Sequence, residues 1–191
     1  MLQNKDKKII GVIGSSGSGK TVFCKIAEKY GAFVIHADQL AHNVIKRKAR
    51  KEILAEFGTT NRKELGKIVF HDSNKLNALI KITYKYIENS IEEAINLCDN
   101  GMIVIDAAEL HRSSKLHDLC TKVVAVISKK ETQIKRLTLR DKKTTADITA
   151  RLNNQQSNEF YTKFADVTIE NNSTLAEFKE QSRRFWQNET I

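Results

Sequence analysis

Short apolar runs alternate along the chain with stretches in which apolar residues recur at the three- and four-residue spacing of a helix. The apolar runs predict five buried strands, over Ile9–Ile13, Ala32–Ile35, Met102–Asp106, Val123–Ile127 and Val167–Ile169. The periodic stretches between them predict helices, because that spacing places the apolar side chains on one helical face. Strands that alternate with helices form a parallel sheet covered on both faces, so the pattern predicts a three-layer α/β fold.

The second and third predicted strands are separated by a long helical stretch. Apolar spacing predicts a short helix over Arg62–Phe70 and a long one over Leu76–Ile95, with no strand between 58 and 97. We interpret 58–98 either as an insertion that binds a second substrate or as a plain crossover connection. The chain as a whole, 1–191, has the length of one domain.

A glycine-rich motif lies between the first strand and the helix after it. Gly14–Thr21 reads GSSGSGKT and matches G-x-x-x-x-G-K-[ST] in the strand–turn–helix context that this motif requires. Glycines let successive N–H groups point at a polyphosphate, and the helix adds its positive end. Lys20 is expected to reach the β- and γ-phosphates, and the Thr21 hydroxyl to bind Mg²⁺. The candidate nucleotide contacts are Gly14, Ser16, Gly17, Ser18, Gly19, Lys20 and Thr21.

Two predicted strands are followed by a carboxylate. Asp38 comes shortly after the second strand, where it could cap the following helix, and Asp106 ends the third strand. Ligands of open α/β sheets bind at the carboxyl ends of the strands, which favours a functional role for Asp38. Asp106 corresponds in position to the second acidic element of phosphate-loop enzymes, which holds Mg²⁺ directly or through water.

A basic segment, Arg136–Lys143, lies near the end of the helix after the fourth strand. The helical stretch Asp147–Phe164 follows it and carries Arg151. This arrangement is typical of a lid, here over 140–165, whose arginines close over phosphates and neutralise charge that develops in the transition state. A charged, solvated surface explains the same residues equally well.

The amino-acid composition favours a globular protein over a disordered, secreted or membrane-spanning one. With 40% hydrophobic and 29% charged residues, the chain is expected to be globular rather than disordered. The sequence contains neither a signal-peptide core nor an apolar stretch of bilayer length, so we expect a cytoplasmic protein without a membrane partner. Cys24, Cys98 and Cys120 have neither metal-ligand nor disulfide-framework spacing and are expected to be reduced thiols.

The net charge of +9 suits both a nucleic-acid binder and an enzyme that handles several phosphates. The densest basic run, Lys46–Lys51, contains no aromatic residues on which bases could stack. We therefore interpret it as a solvated helix face and expect no nucleic-acid partner.

Ordered segments over nearly the whole chain resemble the dephospho-coenzyme A kinase family. Besides the glycine-rich loop, they are Gly31–Asp38, Arg62–Phe70, Lys135–Asp141, Ala150–Leu152 with Gln155, Ala165–Asp166 and Ile169–Asn171. The loop alone is common to many kinases, whereas the ordered set is specific to this family. The resemblance implies a P-loop NTPase fold that transfers the γ-phosphoryl group of ATP to the ribose 3′-hydroxyl of dephospho-CoA.

The resemblance also implies roles for individual residues. Asp38 would orient the 3′-hydroxyl, accept its proton and hold Mg²⁺ through water. Arg140 and Arg151 would clamp phosphates as the lid closes, Asn171 would lie near the adenine, and Arg62 would contact the acceptor. ATP and Mg²⁺ are the implied cofactors. The residues implied as catalytic are Asp38, Lys20 and Arg140.

The chain departs from the family pattern around the expected acceptor site. His36 replaces the first aspartate of the family's D-A-D segment, Tyr84-Lys85 replaces a histidine-proline pair, and Ala108–Arg112 differs from the usual segment after the third strand. These departures leave two other functions open. The first is a kinase for another nucleoside, nucleotide or small metabolite, and the second is a diverged nucleotide-binding module without this activity.

Overall fold

A computed structural model describes residues 7–70 and 72–190. Its sheet has the strand order β2-β3-β1-β4-β5. The strands are β1 (Lys8–Ile13), β2 (Phe33–His36), β3 (Met102–Asp106), β4 (Lys122–Ile127) and β5 (Val167–Glu170). β1 pairs in parallel with β3 and with β4, and β4 pairs in parallel with β5. The parallel five-stranded sheet and the α/β class predicted from the apolar pattern are confirmed.

The helices follow the strands in the predicted alternation. They are α1 (Lys20–Lys29), α2 (Ala37–Lys46), α3 (Arg50–Phe57), α4 (Arg62–Phe70), α5 (Ser73–Leu97), α6 (Ser114–Leu119), α7 (Lys130–Asp141), α8 (Thr145–Asn153), α9 (Asn158–Phe164) and α10 (Leu175–Glu189). A 3-10 turn covers Leu110–Arg112. Within 7–70 and 72–190, no helix has the length and apolar character needed to span a membrane.

The chain divides into two compact units. The first comprises the chain up to Ile35 together with Asp99 onward, and the second comprises His36–Cys98. The predicted helical insertion 58–98 lies within the second unit, which also contains α2 and α3. The glycine-rich loop and the segment predicted as a lid, 140–165, belong to the first unit, whereas Asp38 and Arg62 belong to the second.

Aromatic packing fixes α1 against α10 in the first unit. The rings of Phe23 and Trp186 are both fully buried, with their centroids 4.7 Å apart. The Trp186 indole N–H donates a hydrogen bond to the Phe23 carbonyl oxygen at 3.0 Å, which satisfies a polar group that burial would otherwise leave unpaired. Since α1 begins directly at the end of the glycine-rich loop, this packing also holds the base of that loop.

The stretch Asp147–Phe164, predicted to be helical, lies in two helices that are separated by a short break. α8 ends at Asn153 and α9 begins at Asn158, where the Ser157 hydroxyl caps the new helix by accepting a hydrogen bond from the Phe160 N–H at 3.1 Å. The intervening residues are polar and offer no apolar face that packing could hold in a continuous helix. The interruption leaves Gln155 outside regular secondary structure.

Candidate active site

The glycine-rich loop joins β1 to α1 through a backbone that only glycine adopts readily. Gly14, Gly17 and Gly19 have φ angles of 139°, 77° and 116°. A Cβ atom on Gly14 would lie 2.2 Å from the Val126 carbonyl oxygen, and one on Gly19 would lie 2.3 Å from the Asn171 side-chain nitrogen. The loop is therefore pressed against β4 and against the turn after β5, and two of its glycines have no room for a side chain.

The polar groups of the loop include several that a polyphosphate could engage. The Lys20 ammonium folds back over the loop and donates a hydrogen bond to the Gly14 carbonyl oxygen at 2.7 Å. Thr21, in the first turn of α1, is exposed. The Ser18 hydroxyl is buried and has no hydrogen-bond partner among the residues described. The predicted strand–loop–helix arrangement is present, with its lysine held at the loop.

Asn171 supports the loop from the turn after β5. It is only 4% exposed, and its side-chain amide donates a hydrogen bond to the Ser18 carbonyl oxygen at 2.7 Å. Its backbone is fixed in turn by a bond of 2.8 Å from its N–H to the Ile127 carbonyl oxygen. The Asn171 side-chain oxygen accepts a hydrogen bond from Arg136 at 3.0 Å. The expected place of Asn171 near an adenine remains a prediction, while its bond to the loop is a further role.

Helix α7 contacts the loop through two residues that are not among the predicted nucleotide contacts. Gln133 donates a hydrogen bond to the Ser15 hydroxyl at 2.7 Å, and Arg136 donates one to the Gly17 carbonyl oxygen at 3.3 Å. Their spacing, continued by Arg140, places all three on one face of the helix, and that spacing is the signal that could have identified them.

Arg136 adds a positive charge beside the loop. Its guanidinium bonds to the Gly17 and Asn171 carbonyl oxygens, the Asn171 side-chain oxygen and the Ser128 hydroxyl, none of which is charged. Burial lowers the pKa of Arg136. In the described part of the chain no carboxylate pairs with this guanidinium, so the positive charge that it places beside the loop is not offset by a direct ion pair.

The two predicted lid arginines meet at one carboxylate. Arg140 binds Asp141 through two nitrogens, from Nε to Oδ1 at 2.6 Å and from one Nη to Oδ2 at 3.2 Å. Arg151, on α8, donates to the same Oδ2 at 3.0 Å. The Arg140 hydrogen bonds lower the pKa of Asp141 most strongly, with a further contribution from the Arg151 charge. The structure therefore brings together the two arginines that the sequence predicts, through an acid that was not among the predicted site residues.

The lid segment also touches the loop directly. The Gln155 side-chain oxygen accepts a hydrogen bond of 2.9 Å from the Ser16 N–H. Loop N–H groups of this kind are the donors that cradle phosphate oxygens in P-loop proteins. Gln155 thus accepts a hydrogen bond from an N–H group that could instead bind a nucleotide phosphate. It lies in the break between α8 and α9, outside either helix.

Asp106 lies beside the strand that leads into the loop. In the parallel register of β1 and β3 it is opposite Val12, and the N–H of the following residue, Ala107, bonds to the Val12 carbonyl oxygen at 3.1 Å. The Asp106 carboxylate and the Thr21 hydroxyl are hard oxygen donors, the type that Mg²⁺ prefers. No group of three potential metal-binding side chains occurs in 7–70 or 72–190. This small donor set fits a Mg²⁺ ion that takes its other ligands from water and substrate phosphates.

Asp38 belongs to the second unit, and its predicted position as the helix cap is wrong. The cap position of α2 is His36, which makes no side-chain capping bond, and Asp38 is the second helical residue. The helix begins earlier because Ala37 is already buried. Asp38 is exposed, lines an open cavity of about 650 Å³, and its carboxylate has no hydrogen-bond or ion-pair partner among the described residues. The side chain of Arg62 lies outside the described part of the structure.

The lysine that replaces the family proline has a clear structural partner in the second unit. Lys85, on α5, donates to both carboxylate oxygens of Glu52 on α3, at 2.9 and 2.7 Å, and the Tyr86 hydroxyl donates to the same carboxylate. The Lys85 hydrogen bond is the main reason that the pKa of Glu52 is lowered. This departure from the family pattern therefore links two helices.

The segment after β3, also different from the family pattern, forms its own charged cluster in the first unit. Arg112 pairs with Glu109, and the His111 ring nitrogen Nε2 lies 3.8 Å from the same carboxylate. Tyr161, from α9, is fully buried with its hydroxyl unpaired among the described residues, and burial raises its pKa to about 12. The substituted residues are thus bound to one another close to the end of β3.

Comparison with known proteins identifies similar sequences over almost the full length. A family model described as dephospho-CoA kinase matches residues 8–177. The dephospho-CoA kinase of Fusobacterium nucleatum is 33% identical over 186 residues, which cover 93% of this chain and 96% of that protein. That of Listeria innocua is 30% identical over 190 residues, covering 93% and 95%.

Solved structures with the same fold include other kinases. The dephospho-CoA kinase from Campylobacter jejuni has a TM-score of 0.61 at 26% identity, covering 95% of this chain and 97% of that one. The Thermus thermophilus protein TT1252 has a TM-score of 0.87 at 22% identity, covering 97% and 98%. Shikimate kinase from Acinetobacter baumannii has a TM-score of 0.55 at 16% identity, covering 97% and 96%. The last two likenesses concern the fold alone.

Proposed function

Because this chain belongs to the dephospho-CoA kinase family, and is therefore a phosphotransferase, we propose that it phosphorylates the ribose 3′-hydroxyl of dephospho-CoA with ATP. The products are coenzyme A and ADP. The observation that carries the proposal is the glycine-rich loop, fixed between β1 and α1 and supported by Asn171 and Arg136. Phosphoryl transfer depends mainly on positioning and charge stabilisation, and this loop supplies both.

Lys20, Arg140 and Arg151 are the proposed phosphate-binding cations. When ATP binds, the Lys20 ammonium leaves the Gly14 carbonyl oxygen for the β- and γ-phosphates, a movement that its flexible stem allows. Arg140 and Arg151 neutralise the charge that spreads over the transferred phosphoryl group. Their position on a separate lid segment suits groups that bind after the nucleotide has entered.

Asp38 is the proposed proton acceptor. Its carboxylate is exposed and unpaired among the described residues, so it can accept a hydrogen bond from the incoming 3′-hydroxyl. As the bond from the 3′-oxygen to the γ-phosphorus forms and the bond from that phosphorus to the bridging oxygen of ADP breaks, the hydroxyl proton passes to Asp38. Asp38 therefore both aims the nucleophile and removes its proton.

Mg²⁺ is the proposed metal, with the Thr21 hydroxyl and the Asp106 carboxylate as its protein ligands and Asp38 as an alternative ligand through water. When bound, Mg²⁺ neutralises phosphate charge in the ATP complex. The remaining steps use groups of the chain itself: the loop binds the polyphosphate and the lid arginines exclude water around it.

The direct test is to incubate the purified protein with Mg-ATP and dephospho-CoA and to measure ADP and coenzyme A by chromatography. We expect equal amounts of the two products. Lys20→Ala, which removes the phosphate-binding ammonium, is the negative control, and an acceptor lacking the 3′-hydroxyl should give no product. ADP without coenzyme A from the unmodified protein, at high enzyme concentration, would contradict the proposal.

A second candidate is a kinase that uses a different acceptor. Two ion pairs favour this candidate, because each contains a residue at which this chain differs from the family pattern. They are the pair of Lys85 with Glu52 and the pair of Arg112 with Glu109. A panel of nucleosides, nucleotides and small alcohols in the same ADP-release assay separates the two. Faster ADP release with another acceptor than with dephospho-CoA would support the second candidate.

A further inference from the structure

One acid in the lid segment is bonded to two cations at once. Asp141 accepts two hydrogen bonds from Arg140 and one from Arg151, with the shorter contacts at 2.6 and 3.0 Å. Its side chain is 19% exposed, against 58% for Arg140 and 45% for Arg151. The acid is thus the inner member of the group, and the two guanidiniums surround it.

We propose that Asp141 is a positioning residue, whose carboxylate holds Arg140 and Arg151 side by side as a preformed clamp for the transferred phosphoryl group. This inference rests on the proposed function, because it concerns the same phosphates. Under this proposal Asp141 is the third residue of the clamp, and it holds the two arginines without binding phosphate itself.

The bonding pattern leaves the arginines able to bind a phosphate. A guanidinium carries more N–H donors than Asp141 uses on either arginine. The carboxylate also offsets the repulsion between two like charges held close together. The clamp is therefore assembled before the nucleotide arrives, so less side-chain freedom is lost when the phosphate is bound.

The clamp lies between two contacts with the phosphate loop. Before it in sequence, Gln133 and Arg136 on α7 bond to the loop, and Arg140 continues the same helical face by one turn. After it, Gln155 bonds to the Ser16 N–H at 2.9 Å. Since both flanking segments touch the loop, a carboxylate that joins α7 to α8 places the two arginines near the phosphates.

Helix stability does not explain an acid at this position. Asp141 is the last residue of α7, where the negative end of the helix dipole disfavours a carboxylate. The next residue, Lys142, adopts a left-handed conformation with φ of 51°, which a residue other than glycine adopts at some cost. The helix dipole therefore disfavours an acid at position 141, and the bonds of Asp141 to the two arginines favour it.

The test compares Asp141→Asn with Asp141→Glu, which keeps the charge, and with Asp147→Asn as the matched control. Asp147 lies on the same lid and loses the same charge, but its carboxylate bonds to the Thr144 hydroxyl rather than to an arginine. We expect Asp141→Asn to lower kcat about tenfold while the KM for ATP and the affinity for a non-hydrolysable ATP analogue change less than about threefold. Asp141→Glu should recover most of kcat, and Asp147→Asn should match the unmodified enzyme.

A double-mutant cycle that combines Asp141→Asn with Arg151→Ala measures whether the effect of Asp141 on kcat depends on Arg151. If Asp141 acts by holding two arginines together, Asp141→Asn should cost less than about threefold once Arg151 is absent. An equal loss in both backgrounds, an unchanged kcat in Asp141→Asn, or a failure of Asp141→Glu to recover activity would each overturn the proposal.

Failure of the proposed function gives a different result. In that case the unmodified protein, in which Asp141 is intact, makes no coenzyme A. The same cycle is then measured on acceptor-independent hydrolysis of ATP, in which charge develops on the same phosphoryl group. Coupling between Asp141 and Arg151 in that reaction would support the clamp, and its absence would overturn it.

Discussion

The side-chain amide of Asn171 donates a hydrogen bond to the carbonyl oxygen of Ser18, 2.7 Å away and out of contact with solvent. Ser18 belongs to the phosphate loop, and Asn171 to the turn after β5 at the edge of the sheet. A buried carbonyl oxygen without a hydrogen-bond donor costs free energy. This bond therefore fixes the loop after β1 to the turn after β5, with β4 between those two strands in the sheet. The conformation of the nucleotide site thus depends on a residue that is distant in sequence.

Replacing Asn171 by Ala should weaken both the fold and nucleotide binding. The Ser18 carbonyl oxygen would lose its donor and Arg136 one of its acceptors, which costs about 1–3 kcal/mol of unfolding free energy. We expect the Kd for ATP to rise about tenfold, since part of the cost falls on the loop conformation. Urea unfolding and calorimetry measure the two effects.

The neighbouring Asn172→Ala is the matched control for that variant. The Asn172 side chain bonds to the Lys129 N–H at 2.7 Å and to Glu170, but not to the loop. It should lose stability without a comparable loss of ATP affinity. Equal effects of the two substitutions on ATP binding would refute a special role for Asn171.

Gly19→Ala should abolish nucleotide binding. The residue has a φ of 116°, and a Cβ atom there would lie 2.3 Å from the Asn171 side-chain nitrogen, so the added methyl group must displace the support of the loop. Gly31→Ala is the control, because Gly31 also has a positive φ, 84°, but no heavy atom of the described residues other than its chain neighbours lies within 4 Å of the added Cβ. Thermal shift with ATP should be lost in the first variant and retained in the second.

The strands and the phosphate loop could be predicted because both depend on strong local signals. Burial of continuous apolar runs such as Val123–Ile127 dominates the energy of strand formation, and the loop needs glycines at fixed positions. The break between α8 and α9 could not be located from the sequence because its polar residues carry no periodic signal. Likewise, capping was assigned to Asp38 from residue type alone, whereas burial of Ala37 sets the start of the helix.

The bonds around the loop could not be predicted in the same way. Contacts such as those of Arg136 and Gln155 each contribute little free energy and depend on where distant segments meet. Asp141 is an example, because an acid next to an arginine in sequence usually forms no more than a weak ion pair at the surface. Its bond to Arg151 arises from the packing of α7 against α8. Residue types identified the candidates, and only the fold shows which of them touch.

The free energy of unfolding should fall at acidic pH, in part because the Glu189 carboxylate becomes protonated. Its carboxylate, 9% exposed, pairs with Lys8 and Lys122 at the start of β1 and β4. Burial alone would raise the pKa of Glu189, but the hydrogen bonds from the two lysines outweigh burial and lower it. Since this pKa is lower in the folded chain than in the unfolded one, the ionised carboxylate stabilises the fold above the unfolded-state value. That contribution is lost as the pH falls through the folded-state pKa.

Glu189→Gln should therefore reduce the unfolding free energy by about 1–2 kcal/mol at pH 7 and by less at about pH 3, which lies below the unfolded-state pKa. Urea unfolding at both pH values measures the difference. Glu159→Gln is the control, because among the described residues Glu159 pairs only with Lys163, in an exposed contact, and its loss should have little effect at either pH. A Glu189 effect that is the same at both pH values would show that ionisation is not its cause.

Asp38→Asn should separate nucleotide binding from turnover. The substitution keeps the shape of the side chain but removes its capacity to accept a proton, so we expect kcat to fall by about 10²–10⁴-fold. The phosphate loop is intact in this variant, and the affinity for ATP should stay within about threefold of the unmodified value. Glu56→Gln, an exposed acid in the same unit, is the control for loss of charge. Unchanged kcat in Asp38→Asn would remove Asp38 from the proposed mechanism, whereas loss of ATP affinity would mean that its carboxylate acts on the nucleotide rather than on the acceptor hydroxyl.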